Sequence, residues 1–335
     1  MRRPVVQIIG QSGGDLVPNW GSSLISVRFT DNEGGDADEL EIDISVALPL
    51  PAPPPVGTKY RLLYGWETGA LRDAGLFTSQ SPRLNYSAED GWVMTVVARS
   101  ADFVDADKAA DSEHYDEQAA GEIFRKLASG AGKSAIVHPS IASIQIPYRL
   151  RLQQSSVGFG QALADELGAT LKLADGRWLI TVKNGGETAS GTTMPPIVIP
   201  LADVSLADLT AEERPKHAKV EASYFDEDKG ISQFETATGL GKVSTFFSLH
   251  PAASAAEAKV RSQSQALDLL RATISGSVTI EGDPNAMAGA PVVLDGFGDW
   301  NGTDLVAPTI QHEFTFDESG GWLMTPEFAA RAKTG

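Results

Sequence analysis

Apolar and polar positions alternate with a period of two in the first hundred residues. Over Leu24–Thr30, Ile25, Val27 and Phe29 alternate with Ser26, Arg28 and Thr30. Over Glu39–Val46, Leu40, Ile42, Ile44 and Val46 alternate with Glu39, Glu41, Asp43 and Ser45. Such alternation puts one face of a strand on a core and the other in water. The segment between them, Asp31-Asn32-Glu33-Gly34-Gly35-Asp36, is turn chemistry. Tyr60–Trp66 and Trp92–Arg99 are two further strands, and the proline run Leu48–Pro55 can only be a rigid connecting loop. Short strands and turns in this order predict a barrel or sandwich.

The period then changes. Ala120, Ile123, Phe124 and Leu127 fall on one helix face, ended by Gly130 and Gly132. Ser156 is the expected N-cap of a second helix carrying Phe159, Leu163 and Leu167 and closed by Gly168. Asp175-Gly176 is a two-residue hairpin turn between Thr170–Ala174 and Arg177–Val182, which sets Leu173 opposite Trp178 and Leu171 opposite Ile180. Residues 185–196, rich in Gly, Ser, Thr and Pro, are expected to be a linker. Beyond it the expected strands are Lys219–Tyr224, Thr245–Leu249, Gly276–Glu281, Pro291–Leu294 and Thr309–Phe316. One helix interrupts them, opened by the capping box Ser254–Glu257 and continued by Val260, Leu267 and Leu270. The pattern therefore predicts an α+β, mainly β chain, with an α/β segment between two β regions.

Composition adds few constraints. The 335 residues suffice for two or three domains, and 42% hydrophobic with 21% charged residues is ordinary globular usage. The Met1–Val6 start is too short in apolar residues for a signal peptide, and no apolar run is long enough to span a bilayer. These features predict folding in a cytoplasm without membrane insertion. The absence of cysteine removes disulfides, thiolate nucleophiles and Cys-based zinc sites. A net charge of −17 disfavours stable binding to nucleic acid.

Candidate chemistry is weak. Gly10-Gln11-Ser12-Gly13-Gly14 has the G-x-S-x-G spacing of a nucleophile elbow, but Val17-Pro18-Asn19 follows without a helical pattern, so Ser12 is expected to be inert. Gly130-Ala131-Gly132-Lys133-Ser134 has the tail of a phosphate loop, but Leu127 stands where the first glycine should, and the order is helix then strand. The histidines His114, His138, His217, His250 and His312 contain no locally spaced zinc pair. Asp102, Asp105, Asp107 and Asp111 have calcium-loop elements, yet Ala109 occupies a ligand position. Asp226-Glu227-Asp228 is a solvated turn. No catalytic, cofactor-binding or metal-binding residue is expected, and the residues by themselves describe an interaction protein.

The order of four stretches resembles the phage late-control D family, the hub proteins of contractile tails, related to the T4-like tail hub, the R-type pyocin hub and the N-terminal region of type VI spikes. They are Ser26–Asp31 with Gly34–Asp43; Ala74–Phe77 with Val93–Phe103; Leu152–Ser156 with Phe159, Leu163 and Leu167–Ala169; and Gly289–Gly298 with Gly302, His312 and Gly320–Thr325. Ser155-Ser156-Val157 departs from the family's Glu-Ser-Asp, and Pro49–Pro55 replaces an ordinary connector. The resemblance implies two similar β-barrel domains, residues 1–110 and 201–335, the latter with one inserted helix, around an α/β middle of residues 111–200. It implies no enzyme but a structural homotrimer in the baseplate of a virion tail, joining a hexameric tail tube to a trimeric spike and meeting baseplate wedge and tape-measure proteins. A tail-associated cell-wall hydrolase and the hub-like part of a type VI secretion spike are the alternatives. In such a ring, Glu39, Glu41 and Asp43 could give the lumen an acidic wall.

Overall fold

A computed structural model describes residues 2–100, 110–211, 217–238, 244–271, 274–301, 304–316 and 320–330. It is mainly β, as the alternation predicts. The first region supplies β1 (Pro4–Ile9), β2 (Leu24–Asn32), β3 (Glu39–Val46), β4 (Lys59–Trp66), β5 (Arg72–Ser87) and β6 (Gly91–Arg99). β3 pairs with both β2 and β6, so the alternation of Leu40 and Ile42 with Glu39, Glu41 and Asp43 crosses three strands. β2 departs from simple alternation at one point. A register shift between Leu24 and Ser26 keeps Leu24 in the core with Val27, leaves Ile25 exposed and sets the Ser26 hydroxyl on Asp43 of the polar face, because a bulge inserts one unpaired residue.

The C-terminal strands do not form a separate sheet. β12 (Ile197–Pro200), β13 (Leu206–Ala211), β17 (Ile274–Glu281), β18 (Pro291–Asp295), β19 (Leu305–Thr315) and β20 (Trp322–Ala330) join the first six in one twelve-stranded sheet. The seam is β2 against β19, from Asn32 opposite Thr309 to Ser26 opposite Thr315. Two cores lie along this sheet. Val27, Phe29, Leu40, Ile42, Leu62, Tyr64 and Phe77 belong to one, which also takes in Phe314 and Trp322 from the far end of the chain. Ile199, Val278, Val292, Leu294, Ile310 and Met324 belong to the other.

The middle region has its own core. Its helices are Ala120–Gly130 and Ser156–Glu166, with a short turn of helix at Pro139–Ala142. Its strands are β7 (Ala110–Ala119), β8 (Ser134–Val137), β9 (Gln145–Ser155), β10 (Ala169–Ala174) and β11 (Arg177–Val182). The expected hairpin is present in its expected register: Leu173 faces Trp178 and Leu171 faces Ile180. These residues close over Ile123, Phe124, Leu127, Phe159 and Leu163. Ser155, not Ser156, caps the second helix, its hydroxyl accepting from the Gly158 amide at 3.0 Å. Ser155 keeps an extended backbone, which an N-cap needs, while Ser156 is already helical.

Two expectations change. Residues 185–196 are not a loose linker: Met194 N donates to Gly186 O, Thr188 N to Thr192 O, and Ala189 and Met194 are buried. The insertion in the C-terminal region is larger than one helix. β14 (His217–Asp226), β15 (Ile231–Thr238) and β16 (Ser244–Phe247) form a separate three-stranded sheet under the helix Ala255–Arg271. Thr245–Leu249 and Lys219–Tyr224 therefore lie outside the large sheet, and β16 stops at Phe247. The Ser254 cap is present, its hydroxyl accepting from the Glu257 amide. Val260 packs on the middle core.

Candidate functional site

The three regions meet at the end of β2. Val27, Phe29 and Asp31 are all buried, so the core-facing side of the strand ends in a carboxylate. Lys172, on β10, sits between the buried Leu171 and Leu173 and points away from their core. Its ammonium lies 2.5 Å from Asp31 Oδ1 and 2.9 Å from Asp38 Oδ1, and donates to Asn32 O at 2.8 Å. The Ala288 amide of the C-terminal region donates to Asp31 Oδ2 at 2.9 Å. Asp38 Oδ1 accepts from the Asn32 amide, and Asp38 N donates to Ser100 Oγ, which donates to Leu173 O. One buried lysine thus ties the N-terminal strands, the middle hairpin and the C-terminal region together.

The neighbouring contacts continue the joint. Glu33 Oε1 accepts from the Asn184 amide at 2.8 Å, and Glu33 N donates to Pro308 O. Gly34 lies so close to the hairpin that a Cβ there would stand 2.7 Å from the Thr170 Cβ. Arg72 donates to Pro284 O and Ala286 O, and Trp66 Nε1 donates to Gly282 O. An open hollow of about 370 Å³ lies beside the joint, lined among others by Glu33, Gly34, Asp165 and Lys183.

Burial sets the charge states. It pushes the Asp38 carboxyl up to about 6, a rise only partly offset by Lys172. Burial acts on Asp31 in the same sense, but Lys172 and the Ala288 amide outweigh it and hold that carboxyl below its usual range. Burial opposes the charge on Lys172, yet the two carboxylates more than compensate and hold its ammonium above the usual lysine range. Charge-assisted bonds in a dry site are strong when complete and costly when broken. Such a cluster holds domains in register; it does not present a reactive group.

A second cluster attaches the inserted sheet. Glu257 is buried and takes Arg149 from β9 and Arg261 from its own helix, each at 2.9 Å. Arg149 also pairs with Glu166 at 2.7 Å.

The residues singled out from the sequence are dispersed. Ser12 is exposed in a turn closed by Gly13 N to Gly10 O. A helical turn does follow, at Val17–Trp20, but Leu16 is its N-cap and Pro18 lies in its first turn, so Ser12 is not at a helix N-terminus. Gly130–Ser134 runs from a helix into β8, the order that leaves a phosphate without a helix N-terminus. His138 contacts Ser140 and Glu187, and His114 contacts Tyr148. His312 is stacked on Phe29 and its Nδ1 accepts from Trp322 Nε1. Burial lowers the His312 pKa to about 4. His250 is exposed, and the His217 side chain, like Asp102, Asp105 and Asp107, lies outside the described residues. Among the described residues no three His, Asp or Glu side chains form a metal-sized group. Asp226 closes the expected turn by accepting from Lys229 N. Glu39 pairs with Arg99, and Glu41 and Asp43 pair with Arg28.

Neither Asp31 nor Lys172 is singled out as a site residue by the sequence, where Asp31 opens the turn-forming segment Asp31–Asp36. Continuing the period of two from Val27 and Phe29 would have put that acid inside, in need of a cation.

Comparison with known proteins found the following similarities. A probable baseplate hub protein of Escherichia phage P2 is 30% identical over 210 residues, 63% of this chain and 54% of the relative. The corresponding protein of Escherichia phage 186 is 28% identical over 210 residues, 63% of this chain and 53% of the relative. The chain is thus similar over 210 residues to probable baseplate hub proteins of two Escherichia phages. It spans about half the length of these hub relatives. No family model matches the chain. Solved structures share the fold over nearly all of the chain. The 43 kDa tail protein of prophage MuSo2 from Shewanella oneidensis superposes with a TM-score of 0.70 at 14% identity, covering 98% of both chains. A tail protein from Neisseria meningitidis MC58 gives 0.69 at 11% identity, covering 98% of this chain and 96% of its own. The Escherichia coli c3393 protein, a type VI secretion component, gives 0.56 at 10% identity over 93% of this chain and 74% of its own.

Proposed function

We propose that this chain is the structural hub of a contractile phage tail or a phage-derived injection particle. In that role three copies form a ring in the baseplate, with a hexameric tail tube on one side and a trimeric spike on the other, in contact with wedge and tape-measure proteins. Residues 1–110 and 201–335 act as two similar barrel-type units per copy, so that three copies offer six similar faces to the tube. Residues 111–200 brace them, and the function requires no catalytic residue or cofactor. The observation that carries the reading is the buried joint at Lys172. An adaptor that transmits the load of tail contraction needs its units held in one fixed orientation, and a fully bonded buried ion cluster resists sliding. The relationship to phage hub proteins supports the same reading.

The test is reconstitution. The chain is mixed with purified candidate tube and spike proteins from the same genome, and the masses of the complexes are measured by light scattering. The expected products are a homotrimer and a homotrimer bound to one spike trimer. A chain that binds neither protein, or that solubilises purified peptidoglycan in proportion to its concentration, would refute the structural role.

A further inference from the structure

Two exposed apolar surfaces have no cover among the described residues. The first is the connection between β3 and β4. Over residues 47–58 it holds no charged residue and includes Leu48-Pro49-Leu50-Pro51-Ala52-Pro53-Pro54-Pro55. Leu48 is 74% exposed and Val56 71%, and Leu50 is also exposed. A loop of about twelve residues ordinarily folds its apolar side chains onto its own domain. Proline prevents this by fixing φ and removing amide donors, so the leucines remain presented to solvent.

The second surface is the outer face of the inserted sheet. The helix Ala255–Arg271 covers the side carrying Val220, Ala222 and Ala237, which are buried. The opposite side carries Phe225, Phe234 and Phe247, each more than half exposed. Phe234 and Phe247 meet edge to face at 6.2 Å, and Leu249, 88% exposed, follows β16. The charged residues in register on this face are Lys219 and Glu221, which cancel. Aromatic surfaces are what proline-rich extended segments bind, since such a segment loses little entropy on docking.

We propose that the proline-rich loop of one copy docks on the Phe225–Phe234–Phe247 face of the next copy. Charge favours a second copy as the occupant. The chain carries −17, so two copies repel over most of their surfaces. The loop is uncharged, and on the strands of the aromatic face Lys219 and Glu221 balance, so these two patches can meet with little of that penalty. Because the patches differ, the contact is head to tail, and successive contacts produce a ring where the rotation closes. This inference rests on the hub reading for the closure of the ring; the contact itself is tested separately.

The absence of cysteine gives a clean test. Leu50→Cys chains, uniformly labelled with ¹⁵N, are mixed with unlabelled Phe234→Cys chains and oxidised with diamide. Mass spectrometry should show a disulfide dimer of one labelled and one unlabelled chain as the main product. In parallel, self-association of Leu48→Ser/Leu50→Ser and of Phe234→Ser is followed by analytical ultracentrifugation. Each variant should weaken self-association by about tenfold or more, and their combination should be little worse than either alone, because both remove one contact. Both sites are exposed, so the variants should keep the wild-type circular dichroism. Self-association within about twofold of wild type in all variants, or dimers of like chains only, would overturn the contact and leave the hub reading standing. A wild-type chain that is monomeric at every concentration would overturn both.

Discussion

Replacing Lys172 by Met keeps most of the stem of the side chain and removes the ammonium from between Asp31 and Asp38. Those carboxylates are 6% and 3% exposed, so water cannot take the place of the lost cation. Removing one partner of a buried ion pair costs about 3–5 kcal/mol. An independent bound comes from protonation, because the protein can escape an unpaired buried charge by binding a proton. For a carboxyl with an unfolded pKa of about 3.9, one pKa unit being about 1.36 kcal/mol, this costs about 4.2 kcal/mol at pH 7 and about 1.5 kcal/mol at pH 5. The two estimates agree at neutral pH, and the second fixes the pH dependence. Lys172→Met should therefore lose about 4 kcal/mol at pH 7 and recover more than half of it at pH 5. Urea denaturation at both pH values measures this, with hydrogen exchange of β10 and β11 showing that the loss begins at the hairpin. A cost below about 1 kcal/mol that does not change with pH would refute the argument that Lys172 neutralises a dry site.

Further outcomes concern the same joint and the N-terminal turn. Asp38 binds a proton more readily in the folded chain, with a pKa of about 6, so its contribution to stability grows as pH falls towards 5 and is lost as pH rises through 6; Asp38→Asn should flatten that part of the stability profile, measured by denaturation between pH 5 and 8. Asp31 acts in the opposite sense, its contribution being lost only in acid below the usual carboxylate range. Gly34→Ala would bring a Cβ to 2.7 Å from Thr170 and should cost about 1–3 kcal/mol by thermal denaturation, with hydrogen exchange rising at β10. Ser12→Ala should leave assembly with tube and spike unchanged; a covalent adduct on Ser12 with a fluorophosphonate serine probe would contradict its inertness.

Local order could be read from the chain wherever one segment contained its own reason to fold. The hairpin Thr170–Val182 has alternation on both arms and Asp175-Gly176 in the turn, where both residues take positive φ. The helix Ala120–Gly130 has its apolar stripe, and β2 and β3 have theirs. In each case backbone preference and side-chain period act over about ten residues and agree. β7, Ala110–Ala119, carries no such signal: it is acidic, only Tyr115 is buried, and it is extended because β9 pairs with it. The seam of β2 with β19 and the bonds from Lys172 to Asp31 and Asp38 join residues more than a hundred positions apart. No local pattern encodes such pairings. Many elements and their inward faces were legible in the sequence, because periodicity is a property of a segment. The tertiary structure alone decided that the two β regions share one sheet and that a turn-like acid becomes the anchor of the joint, because burial and charge neutralisation belong to the neighbours that a distant segment supplies.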